Sequence, residues 1–165
     1  MGTFATTVVL GILATALMDL WGLARPRLLG WPRPDYRLVG RWFAHMGRGR
    51  FRHHAIAAAP PRPGELAIGW AAHYLIGTSF AGLLVGGWGD AWLARPTLGP
   101  PLLVGIGTVA APLLLMQPAM GAGIAGARTR RPWQARLQSL VTHAVFGLGL
   151  YGAGWVTHAL HTLFH

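Results

Sequence analysis

Four long apolar stretches alternate with clusters of arginine, and that alternation leaves few folds open. The stretches cover residues 3–24, 66–88, 98–120 and 137–161. Each has roughly the 20 apolar residues that a spanning helix needs. A bilayer core offers the backbone no hydrogen-bonding partner, so a lone apolar span must satisfy its own amides as a helix. Nine of the fourteen arginines lie between Arg25 and Arg62, four lie between Arg128 and Arg136, and Arg95 stands apart. Basic residues flanking spans stay on the cytoplasmic side. Residues 25–65 and 121–136 are therefore expected in the cytoplasm, with both termini outside. The short connections favour antiparallel neighbours. The expected fold is all-α: a multi-pass integral membrane four-helix bundle forming one domain over 1–165.

Composition narrows the chemistry. The chain is 53% hydrophobic and 11% charged, against about 25% charged in soluble domains. Its formal charge of +10 sits beside apolar spans, where anionic headgroups are nearer partners than nucleic acid. There is no cysteine and no lysine, which excludes disulfides, thiolate sites and Schiff-base catalysis. No Ser–His–acid spacing or Walker loop occurs. Gly121, Gly123 and Gly126 match G-x-G-x-x-G, but they follow a span and not a strand, so a dinucleotide fingerprint is not implied. The first stretch lacks the basic start of a signal peptide and is expected to be retained.

Residues 25–63 are too many for a plain connector. Prolines break both ends, at Trp31-Pro32-Arg33-Pro34 and Ala59-Pro60-Pro61-Arg62-Pro63. Between them, Tyr36 to Met46 suits either a short interfacial helix or an irregular basic segment. The helix would place Leu38, Val39, Trp42 and Phe43 on its apolar side. Arg48, Arg50 and Arg52 suit phosphate, of a lipid headgroup or a soluble anion. Glu65 complements a helix N-terminus or pairs with one of the arginines.

One polar residue interrupts each span: Asp19, His73, Gln117 and His143, the last joined by His158 near the end of its span. Counted from the nearest flanking charge, Asp19, His73 and His143 lie about 9–12 Å inside the cytoplasmic edge. Gln117 can match that depth if the glycines after it are not helical. Small residues recur on the same faces, as in Gly11-Thr15-Asp19, Gly69-His73-Gly77 and His143-Gly147, which are faces suited to helix contact. Four readings of the cluster are open. It can lock the helices in register, or form a proton or ion path. His73 and His143 can be axial ligands of haem b, or Asp19 can join them around a metal ion. Farther out, His158, His161 and His165 suit either a metal ion or the headgroup boundary. Gly82-x-x-x-Gly86 is a candidate face for a homo-oligomer. The leading functional expectation is a proton or small-solute transport component without a resident cofactor. The alternatives are a haem or metal redox protein, and an accessory protein that binds lipid or a larger membrane partner.

The motifs also carry a family resemblance. Met18-Asp19-Leu20-Trp21, Leu38-Val39-Gly40-Arg41-Trp42 and Gly47-Arg48-Gly49-Arg50-Phe51 resemble a family of small bacterial inner-membrane proteins classed as a domain of unknown function. Ala57 to Pro60 with Gly64-Glu65, Gly69 to Tyr74, Ala94-Arg95-Pro96-Thr97 and Met116-Gln117-Pro118 extend the likeness over nearly the whole chain. It implies a four-span membrane protein and brings no activity, substrate or cofactor. It does place Asp19, His73 and Gln117 within family motifs.

Overall fold

The computed structural model describes residues 2–164, with no strand among them. Helix α1 runs Thr3–Leu29, α2 Tyr36–Met46, α3 Glu65–Ala94 and α4 Gly99–Gly107. A π-helical segment, Ala111–Met116, continues α4 into the short α5, Gln117–Ala119, and α6 runs Pro132–Phe164. Four helical segments are long and apolar enough to cross a membrane: Thr3–Leu29, Glu65–Ala94, Gly99–Ala119 and Pro132–Leu163. The shortest, at 21 residues, spans about 30 Å at ~1.5 Å per residue, the thickness of a hydrocarbon core.

Helix ends follow local stop signals and not the limits of the apolar stretches. α1 continues past Arg25 and Pro26 until Gly30 turns left-handed, φ 66°, and returns its N–H to the Pro26 carbonyl. Asp35 then opens α2 by accepting the Arg37 N–H at 3.0 Å. Residues Tyr36–Met46 thus form the helix that the proline-bounded sequence allowed. The basic segment is accordingly no plain loop, since Arg25 and Arg27 belong to α1, and Arg37 and Arg41 to α2.

α1 packs against both α3 and α6, and α4 packs against α6. Small residues set how closely the helices approach. Gly77 of α3 faces Thr15 of α1, and a Cβ added at Gly105 of α4 would lie 2.7 Å from the Gly147 Cα of α6. Leu10, Ala14, Leu84, Phe146 and Leu150 fill the core between these helices. Leu20, Leu75, Leu83, Leu103 and Leu114 point outward and are exposed. An apolar exterior of that extent is unfavourable in water and suited to hydrocarbon.

Two features make the arginine-rich end different from the terminal end. First, α2 lies across α3 with backbone against backbone. A Cβ at Gly40 would collide with the Glu65 carbonyl, and one at Gly69 with the Tyr36 carbonyl. Second, the π-helical segment widens the turn after α4. Pro112 has no N–H to continue an α-helical ladder, and wide turns of this kind recur at functional sites. Pro112 cannot donate to the Thr108 carbonyl, which accepts the Ala111 N–H instead at 3.0 Å. Residues 53–56 then clip to the end of α5, His53 N–H to Ala119 O at 2.8 Å and Ile56 N–H to Met120 O at 3.0 Å. The glycine run reverses the chain with Gly121, Gly123 and Gly126 all at positive φ.

Gly69→Leu should force α2 off α3, an overpacking cost of about 1–3 kcal/mol or more. Trypsin should then cut at Arg37 and Arg41, sites held in the docked helix of the native protein. Circular dichroism should show the long helices retained.

Candidate functional site

The site is built around one carboxylate. Asp19 projects from α1 into the angle between α2 and α3. Tyr74 donates its hydroxyl to Asp19 Oδ2 at 2.8 Å. Tyr36, the first residue of α2, donates to Oδ1 at 3.0 Å. His73 Nε2 lies 2.9 Å from the same Oδ1 and 2.9 Å from the Tyr36 hydroxyl. Asp19 Oδ1, His73 Nε2 and the Tyr36 oxygen thus form a triangle. An ionised carboxylate only accepts, so the tyrosine proton and an Nε2 proton fill two edges and leave the third without one. Tyr36 stacks on the His73 ring with centroids 4.4 Å apart. Burial, then the Asp19 charge, pushes the Tyr36 phenol well above its usual value, so it stays protonated and remains a donor.

α2 is held by a second polar contact on its opposite flank. Arg41 grips Glu65 with two bonds, Nε to Oε2 at 2.9 Å and Nη2 to Oε1 at 3.0 Å. Glu65 also accepts the Arg62 N–H at 3.1 Å. Glu65 thus takes an arginine partner, and that partner lies on α2.

Beneath α2 is a half-open cavity of about 700 Å³. Its walls come from α1, α2, α3, the π-helical segment with α5, and α6. Leu38, Trp42, Phe43, Phe80, Leu115 and Phe146 make much of it apolar. His73, Gln117 and His143 all border it, while Asp19 stands behind His73. The cluster expected from the sequence is therefore divided. Asp19 and His73 are bonded to each other. His143 bonds instead through Nδ1 to Thr108 Oγ1 at 3.1 Å and to the Gly105 carbonyl at 3.2 Å. A carbonyl only accepts, so Nδ1 carries the proton and Nε2 is the ring's acceptor. Gln117 donates to Ser139 at 3.2 Å, and its Oε1 is buried with no partner.

This geometry bears on the metal and haem readings. No group of three His, Cys, Asp or Glu that could hold a metal occurs among the described residues, so Asp19, His73 and His143 are not arranged as a ligand set. His73 Nε2 is committed to Asp19 and Tyr36, which argues against its use as an axial haem ligand. At the terminal end, His158 and His161 border a separate cleft of about 450 Å³ together with Asp90. His165 lies outside the described residues. Arg48, Arg50 and Arg52 are exposed. Tyr36, Tyr74 and Arg25 are the site residues that span-by-span reasoning passed over. Tyr74 adjoins His73 in sequence and Arg25 ends an apolar stretch, so proximity could have flagged both. Nothing local in the sequence ties Tyr36 to Asp19.

The fold and its exterior have the length and composition of a multi-pass membrane protein, with a polar-edged cavity at one end. The chain matches the family model described as Protein of unknown function (DUF2938) over residues 8–157. It belongs to that family. No curated protein and no solved structure matches it.

His53 adds a pH dependence outside the helices. Its ring is buried, with neither nitrogen partnered, edge-on to His45 at 5.0 Å. Burial and then Arg50 hold it below its ordinary value, near 6.5 for a free histidine. The depressed value means that its contribution is present above about pH 6.5 and is lost as pH falls through the folded value. The thermal midpoint should drop between about pH 6.5 and pH 5, and His53→Phe should flatten that drop. Fluorescence melts of both proteins across this range make the check.

Proposed function

We propose that the protein is a membrane transport or permeation component that moves protons or a small solute through the cavity beneath α2. The observation that carries this reading is the cavity itself. At about 700 Å³ it lies within the roughly 300–1,000 Å³ of small-molecule sites, and its lining is apolar with a few polar groups. Ionisable residues at such depth usually mark ion or substrate paths. In this reading Asp19 is the ionisable centre, His73 its proton partner, and Gln117 and His143 polar contacts of the solute. Tyr36 couples the protonation of Asp19 to the seating of α2. The basic end faces the cytoplasm of a bacterial inner membrane, where Arg48, Arg50 and Arg52 contact anionic headgroups.

Proton flux into liposomes loaded with a pH-sensitive dye tests this. Asp19→Asn should lower the flux at least about tenfold, the scale of losing a hydrogen bond to a charged group, while the protein still assembles in detergent. Equal flux through Asp19→Asn and native protein would remove the transport role of the carboxylate. Loss of stable assembly would favour a purely structural lock.

A further inference from the structure

Arg25 was expected to mark the edge of the first span, but it is buried at 8% exposure and borders the cavity. A guanidinium has five N–H donors and no acceptor. Here Nη1 reaches Thr142 Oγ1 only at 3.4 Å, Nη2 donates to the Pro32 carbonyl, and Nε is buried with no partner. The ion pairs among the described residues are Arg41–Glu65 and His73–Asp19, so no carboxylate pairs with Arg25. Asp35 also borders the cavity, but it is exposed and caps α2 through the Arg37 N–H. Leaving a buried charge uncompensated is costly.

A second polar group lies next to it. Arg25 bonds to Thr142 and Gln117 bonds to Ser139, and residues three apart on a helix are neighbours on one face. The two side chains therefore arrive at adjacent points of α6, Arg25 with unpaired donor capacity and Gln117 with its Oε1 turned against Gly126. From that corner the wall turns apolar, through Met116, Leu115 and Phe43 to Trp42.

We propose that the cavity binds an amphiphilic anion, a carboxylate or phosphate head on a hydrocarbon chain, with the head on Arg25 and the chain along the wall towards Trp42. The inference deepens the transport reading by naming its ligand class. Planar, delocalised guanidinium suits either oxyanion through paired donors. The chemistry is shared by a soluble fatty acid or alkyl phosphate and by a lipid of the bilayer.

The test uses full-length protein in zwitterionic nanodiscs. Titration with 12-bromododecanoate places a quencher on the chain, and the quenching absent from Trp42→Phe reports the cavity. Native protein should show saturable quenching, displaced by dodecyl phosphate but not by dodecyltrimethylammonium or inorganic phosphate. Arg25→Gln should weaken it at least about tenfold, and Arg25→Lys should recover part of the loss. If Arg25→Gln does not assemble, Thr142→Val supplies a milder weakening of the same corner. Displacement by the cationic amphiphile as strong as by dodecyl phosphate would overturn the proposal, as would undiminished binding in Arg25→Gln. Adding phosphatidylglycerol to the discs separates the two sources. Competition identifies the bilayer and its absence a soluble anion, both consistent with an anion site. Proton flux is measured on the same protein preparations in liposomes, so native protein that carries protons without binding the brominated chain, or binds it without carrying protons, separates failure of binding from failure of transport.

Discussion

The structure depends on where one carboxylate finds its hydrogen bonds. Asp19 sits inside an apolar helix, where a charge without partners is prohibitive. It meets that demand with donors from two other helices, Tyr74 and His73 on α3 and Tyr36 on α2. One side chain thus fixes the approach of α1 to α3 and the entry angle of α2. A hydrogen bond to a charged group contributes about 1.5–3 kcal/mol, and a buried donor left behind would add to the cost of losing it.

The placement of α2 follows from that constraint and produces the cavity. Tyr36 pins its first residue, Arg41 pins its second turn to Glu65, and Gly40 against Gly69 removes the side chains that would hold the helices apart. Its apolar side, carrying Leu38, Trp42 and Phe43, then looks into the bundle. On the far wall, the π-helical segment at Pro112 turns the chain wide of an α-helical path. The space between these two departures from a regular four-helix bundle is the cavity. The same local irregularities therefore account for its shape and for its polar edge.

Much of the architecture was legible in the chain. Hydropathy and length found all four long helices, because apolar content is what a spanning helix requires. The proline-bounded segment allowed α2 and its limits, Tyr36 to Met46. Depth and glycine spacing grouped Asp19 with His73, Gln117 and His143, and of these Asp19 and His73 are bonded to each other. Pairings set by distance in space were not legible. Tyr36 lies seventeen residues from Asp19 and thirty-seven from His73, and no periodicity links them. Gln117 and His143, expected to join Asp19 and His73, look instead to Ser139 and to Thr108, because each has a nearer partner on a neighbouring helix. Arg25 misled for a related reason. In the sequence it ends an apolar stretch, whereas α1 continues to Leu29 and carries it inside.

The central claim is that Asp19 joins α2 to the bundle through Tyr36, and a double-mutant cycle addresses it most directly. Unfolding free energies would be measured in mild detergent for native protein, Asp19→Ala, Tyr36→Phe and the double variant. The account predicts that the two changes are coupled by about 1 kcal/mol or more, because either one removes the same bond. Additivity within roughly 0.3–0.5 kcal/mol, the range of independent sites, would contradict it.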